Sequence, residues 1–331
     1  MPQGSGSIIR IGMRRWLLAF CVVFALDRLS GQTPAWQPSP GHAQVPIWPG
    51  EAPDAQPVPG PEYAKAGDTL VAGKPWVAVS NVSRPTMTAY PPKGANSGTA
   101  VVVFPGGGFK ILAIDLEGTE VCDWLSSRGI TAVLLKYRVP FSGQYWDERT
   151  ERETEPRAQT ALEDAQRTVG LVRLHAAGWH IDPNKVGVLG FSAGGYLVAQ
   201  MSTHFGQRLY PAVDTADRES CRPDFAVALY PGHLSLADNS FGLNPAIDSH
   251  ITLQTPPTFL LQDEDDHVDR VEDSLSYYAA LKRVGVPVEM HLYAQGGHAF
   301  GLRRTKQPVT EWPKLVETWL VSIGMISKQG P

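Results

Sequence analysis

At 331 residues, 43% of them hydrophobic, the chain can bury the core of one large α/β domain or two small ones. Its 29 basic and 33 acidic residues are interspersed and sum to a formal charge of −4, which leaves no basic stripe for nucleic acid or an anionic membrane surface.

The N-terminal region departs from the rest. Arg10, Arg14 and Arg15 precede an apolar run, residues 16–26, that is too short to span a bilayer comfortably. A basic region before a short apolar core has the form of a secretory signal peptide, here residues 1–31, with Met13 as an alternative start and an uncleaved anchor as the rival reading. The expectation is a secreted or periplasmic protein with no stable membrane association after cleavage. Cys21 falls in that segment, and Cys122 and Cys221 are left to pair or to stay free. No C-x-x-C or Cys/His cluster suggests zinc, and neither a metal nor a cofactor is expected.

Residues 32–61 are rich in proline, alanine and glycine, which predicts a linker and irregular arm before a single domain over 62–328. Weak alternation over 77–82 and 86–90 predicts two edge strands paired antiparallel. Residues 99–104 are apolar throughout, as in a strand covered on both faces. Pro105-Gly106-Gly107-Gly108-Phe109 follows directly. Alone it reads as a flexible turn. Beside a nucleophile its successive backbone N–H groups suit an oxyanion, and no Gly-Lys-Ser/Thr follows to make it a phosphate loop.

A helix is predicted from residue 117 to 127 and a buried strand over 130–137. The charge-dense segment 144–156 is either a solvated loop or a lid bearing aromatics, among them Phe141, Tyr145 and Trp146. Leu162, Ala165, Val169, Val172 and Ala176 recur at helical spacing. An apolar strand then runs into Gly190-Phe191-Ser192-Ala193-Gly194, which matches the G-x-S-x-G turn from strand to helix. Strands over 225–230, 257–262 and 286–293, with helices over 271–284 and 310–323, complete the alternation. That order predicts an α/β fold with a mostly parallel central sheet and helices on both faces.

A serine hydroxyl is a weak nucleophile near neutral pH, so an imidazole must take its proton and a carboxylate must orient that imidazole. Ser192, an acidic loop (Asp263, Glu264, Asp265, Asp266, Asp269) and His298 occur in that order. Each follows the carboxyl end of a predicted strand, where open sheets place their ligands. His267 and His291 read as structural, and a calcium site is the alternative use of the acidic loop. The expected oxyanion donors are the N–H groups of Ala193 and of Gly107 or Gly108.

Five stretches together carry a resemblance: residues 104–109, Tyr137-Arg138-Val139-Pro140, Ile181-Asp182-Pro183-Asn184, residues 190–195, and Gly297-His298. From about residue 45 to 326 the chain resembles the α/β-hydrolase superfamily. Within it, the chain looks like the acetyl-esterase group related to bacterial feruloyl and acetylxylan esterases. Aligning residues 258–266 with the esterase pattern Leu-hydrophobic-His-Gly-x-x-Asp-x-x-Val makes Asp266 the acid, with Gln262 and Asp263 replacing His-Gly and Asp265 as the fallback. Pro105 stands where lipases and esterases carry His. The resemblance implies a serine esterase acting on small acyl esters, acetyl foremost, with a small molecule or a polysaccharide such as xylan as the alcohol. A serine peptidase of the same fold and a non-catalytic carbohydrate-binding or scaffold protein are the alternatives. Glycoside hydrolysis is not expected, because no pair of carboxylates on a sugar-cleaving scaffold is in sight.

Overall fold

Strands that are apolar on both sides must be covered on both sides, and five strands of the main sheet are buried at every residue: Ala100–Phe104, Thr131–Lys136, Val186–Phe191, Ala226–Leu229 and Thr258–Asp263. A computed structural model describes residue 1 and residues 35–140, 146–147, 152–153, 158–236 and 241–328. The predicted signal segment, apart from Met1, and most of 144–156 lie outside the described residues.

In chain order the strands are β1 (Gln44–Pro46), β2 (Tyr63–Ala66), β3 (Val77–Ser80), β4 (Thr86–Tyr90), β5 (Ala100–Phe104), β6 (Leu112–Ala113) and β7 (Thr131–Lys136). They continue with β8 (Trp146–Asp147), β9 (Arg152–Glu153), β10 (Val186–Phe191), β11 (Ala226–Leu229), β12 (Thr258–Asp263) and β13 (Val288–Tyr293). The helices are α1 (Glu120–Ser127), α2 (Gln159–Leu174), α3 (Ala193–Thr203), α4 (Pro245–Asp248), α5 (Val271–Val284) and α6 (Trp312–Ser322). Among the described residues the main sheet has eight strands in the order β1-β4-β7-β5-β10-β11-β12-β13. Pairing is parallel from β7 to β13 and antiparallel at β4 and β1.

The two faces can be assigned from β10. Phe191 stacks edge-on against Trp312 of α6, with ring centroids 5.8 Å apart. A side chain on its neighbour Gly190 would instead meet Gly194 and Val198 of α3. Adjacent strand residues point to opposite faces, so α6 and α3 cover opposite sides. α1 joins α6 through Trp124, whose ring meets Trp312 at 5.2 Å and whose Nε1 donates to Glu317 at 3.1 Å. α2 packs on α3. This is the α/β-hydrolase architecture, with a mostly parallel central sheet and helices on both faces.

Three local expectations are corrected. The proline-rich arm does not stay irregular, because β1 pairs antiparallel with β4 and the next residues, Ile47 and Trp48, are buried. Arg167 and Asp164 of α2 hold it there: Arg167 Nε donates to Ile47 O at 2.9 Å, and Trp48 Nε1 donates to Asp164 Oδ1 at 2.8 Å. The strands β3 and β4 do not pair with each other. Asn81 in the left-handed region (φ 57°) and Pro85 turn the chain between them, so β3 enters a separate small sheet with β2 and β6. The helix expected from residue 117 begins as a π-turn, Asp115–Thr119, before α1. Cys122 and Cys221 are both buried and free. Among the described residues no helix is long and apolar enough to cross a membrane.

Candidate active site

Ser192 joins β10 to α3 in a conformation (φ 52°, ψ −121°) that costs strain for any residue with a Cβ. Strand and helix can meet so tightly because Gly190 lacks a side chain; a Cβ there would stand 2.1 Å from the Gly194 carbonyl oxygen. The turn carries the serine into a cleft of about 720 Å³. His298, on the loop after β13, lies with Nε2 3.1 Å from Ser192 Oγ. Its Nδ1 is 2.7 Å from Asp266 Oδ2, on the loop after β12.

The acidic loop divides its carboxylates among distinct tasks. Asp266 Oδ1 accepts from the amides of Val268 and Asp269 at 2.8 and 3.1 Å. Gln262, in the place of the esterase histidine, is fully buried and donates from Nε2 to Asp266 Oδ2 and to Asp269 O, at 3.2 and 2.9 Å. Asp265 Oδ1 instead accepts from the amides of Gly296 and Gly297, at 2.9 and 2.8 Å, and so anchors the loop that carries His298. Asp269 Oδ2 accepts from Ser192 Oγ at 3.0 Å. Asp263 is buried with neither carboxylate oxygen partnered among the described residues, and burial, with Asp265 and Asp266 nearby, pushes it up to about 7. His291 bonds Glu289 on β13 and does not enter the relay.

Gly107 has φ 133°, and a Cβ there would sit 2.2 Å from Ile111 O; only glycine fits this turn. Among the described residues the amide N–H groups of Gly107, Gly108 and Ala193 donate no hydrogen bond within the protein. The Gly106 amide, by contrast, donates to Glu117 Oε2 at 2.8 Å. Glu117 is a residue the sequence did not single out. It is buried, and its Oε1 accepts from Tyr230 OH at 2.8 Å. Tyr230 lies just past β11 with φ 37°, its ring 5.0 Å edge-on to His298. The one legible signal for Tyr230 was its place at a strand's carboxyl end. The Pro105 carbonyl, at the site of the missing histidine, accepts from Tyr137 OH at 2.5 Å.

Electrostatics follow from this crowding. Burial disfavours the His298 cation, but the hydrogen bond and charge of Asp266, with Asp269 and Glu117 behind it, win and raise its pKa above 6.5. Burial pushes Asp269 up to about 6 against the pull of His298 and the Ser192 hydrogen bond. Burial likewise raises Glu117, opposed by Tyr230, His298 and the Gly106 amide. The arrangement sets a hydroxyl, an imidazole and a carboxylate in series within hydrogen-bonding reach, beside amides that donate no hydrogen bond among the described residues.

Comparison with known proteins fits this geometry. The chain is 29% identical over 236 residues to an acetylxylan esterase of Xylanibacter ruminicola, covering 67% of this chain and 45% of that protein. It is 28% identical to the endo-1,4-beta-xylanase B of Butyrivibrio fibrisolvens over 65% of this chain and 34% of that one. The chain thus spans less than half the length of either curated relative. The crystal structure of an acetyl ester-xyloside bifunctional hydrolase from Caldicellulosiruptor lactoaceticus superposes with a TM-score of 0.66 at 32% identity, covering 90% of this chain and 100% of that one. Residues 119–323 match the model of the prolyl oligopeptidase family, and with more than half its length so matched the chain belongs to that family of α/β-hydrolases.

Proposed function

We propose that the chain is an exported serine esterase that hydrolyses small acyl esters, acetyl foremost, on plant polysaccharide such as xylan. The observation that carries this reading is the series Ser192–His298–Asp266, at 3.1 and 2.7 Å, opening on a cleft beside unengaged amides. The names of the relatives support the ester and the xylan. The basic and apolar N-terminal segment supports export. His298 Nε2 takes the Ser192 proton as Oγ attacks the ester carbonyl carbon. The oxyanion is held by the amides of Ala193 and of Gly107 or Gly108. His298 returns the proton to the departing alcohol, and water activated by the same imidazole then releases the acid from Ser192.

The test compares acetate release from acetylated xylan with turnover of aryl acetates and of chromogenic peptide amides, alongside fluorophosphonate labelling of Ser192. Faster amide than ester cleavage would favour the peptidase that the family's name suggests. Failure to label would favour a binding protein.

Two further outcomes follow. The imidazole must be neutral to accept a proton, so activity should fall as pH drops through the raised His298 pKa. The acid limb of kcat/KM should therefore lie above 6.5; a limb below that value contradicts the Asp266 pairing. Glu117→Gln carries a cost in either orientation of its buried amide: an NH2 toward Gly106 sets donor against donor, and an NH2 toward Tyr230 leaves the hydroxyl's own proton without its acceptor. Steady-state kinetics should show kcat lowered roughly 10- to 100-fold with KM little changed, since the oxyanion loop is what moves.

A further inference from the structure

Asp269 has no part in the series just described, yet its Oδ2 lies 3.0 Å from Ser192 Oγ and 3.8 Å from His298 Nε2. Its side chain is 4% exposed and lines the cleft. The backbone on both sides is pinned, its N–H to Asp266 and its carbonyl to Gln262. Gly232 makes room for the carboxylate, since a Cβ there would stand 2.1 Å from Asp269 Oδ1. Among the described residues the Ser192 hydroxyl is the group that donates to this carboxylate.

That donor disappears during the reaction. Ser192 Oγ carries a single proton, and when that proton is turned to His298 Nε2 for transfer, Oγ faces Asp269 Oδ2 as an acceptor. A buried carboxylate left facing a second acceptor, with no donor, is costly. Burial raises its pKa to about 6 even with the Ser192 hydrogen bond holding it down, so a replacement donor is what keeps the carboxylate charged when that bond is given up. The incoming molecule must supply a hydrogen. The departing oxygen has to lie within reach of both Ser192 Oγ and His298 Nε2, which is where Asp269 also points. In a partially acylated sugar the carbon next to the ester can carry a free hydroxyl, a donor one bond further from the departing oxygen.

We propose that Asp269 is a substrate-binding residue that accepts a hydrogen bond from a free hydroxyl adjacent to the scissile ester, so that the site selects monoesters of vicinal diols. The inference rests on the esterase reading above. Asp269 thereby sorts partially acylated sugars from simple alkyl esters, while the rest of the site does chemistry on either.

The experiment measures kcat/KM for a monoacetylated methyl xyloside and for the analogue whose neighbouring hydroxyl is replaced by hydrogen, with wild type, Asp269→Asn and Asp269→Ala. Aryl acetate turnover by wild type and its loss in Ser192→Ala monitor the esterase reading separately; an inert wild type overturns that reading and this inference with it. Wild type should prefer the hydroxylated sugar by roughly 10- to 100-fold, the worth of a hydrogen bond to a charged group. Asp269→Ala should lose that preference to within about threefold, a mutual cancellation that general damage to the site does not produce, and Asp269→Asn, a neutral acceptor, should keep no more than about fivefold. A preference that survives intact in Asp269→Ala overturns the proposal. So does a wild type that treats the two sugars alike, a comparison that needs no variant to fold; Asp269 would then act on water or on Ser192 itself.

Discussion

Ser192→Ala should lower kcat on acetyl esters by about four to six orders of magnitude, leaving only what the amides and the cleft contribute to the reaction with water. Alanine keeps the Cβ, so the turn at φ 52° and the approach of β10 to α3 are retained and substrate affinity should change little. The loss is therefore read in single-turnover kinetics and in the disappearance of fluorophosphonate labelling, not in KM. The substitution has a second signature. It removes the hydroxyl that donates to Asp269, whose carboxyl burial already pushes up to about 6, and the folded pKa must rise further. A carboxyl whose folded pKa exceeds its unfolded value of 3.8 stabilises the protein fully below that value and loses the contribution as pH climbs through the folded pKa. The melting temperature of Ser192→Ala should thus match wild type near pH 4 and fall below it above pH 6 to 7. Retention of more than about a hundredth of wild-type turnover would remove Ser192 from the chemistry.

Some of this was legible because the signals were local. At Gly190 the apolar strand pattern stops and a helical one starts, and the need for small residues at that switch is steric and short-range. The place of His298 after the last strand is equally a matter of chain order. Other features depend on partners remote in sequence. The short strand β1 acquires its structure from β4 and α2, and the only local hint was the apolar pair Ile47-Trp48 inside a proline-rich stretch. Residues 77–90 look like a hairpin from alternation alone, yet β3 and β4 find their partners in two different sheets. Glu117 looks like any acidic residue near a helix start; only burial against Gly106 and Tyr230 makes it part of the site. The acidic loop shows the limit most plainly. Asp263, Asp265, Asp266 and Asp269 are equivalent as letters, and differ only in whether they meet no described partner, two loop amides, an imidazole or a serine hydroxyl.

That difference sets the second large effect. Asp266→Asn should lower kcat by about four orders of magnitude. The asparagine oxygen can keep accepting from the Val268 and Asp269 amides, so the loop stays folded with its NH2 group facing His298 Nδ1. A donor there holds the imidazole in the tautomer with its proton on Nε2, which then cannot accept from Ser192. Gln262 Nε2, which now donates to Asp266 Oδ2, would meet the same NH2 and reinforce the loss. Without the hydrogen bond and charge that raise the His298 pKa, the acid limb of whatever activity remains should move down in pH. Asp265→Asn makes the contrast. Its oxygen can still accept from Gly296 and Gly297, so turnover should drop no more than about tenfold and the acid limb should stay in place. Measured side by side as pH–rate profiles, equal losses from the two substitutions, or an unmoved limb in Asp266→Asn, would transfer the role of orienting acid away from Asp266. The expected split keeps it there, because of the two it is Asp266 that bonds the imidazole whose proton has to move.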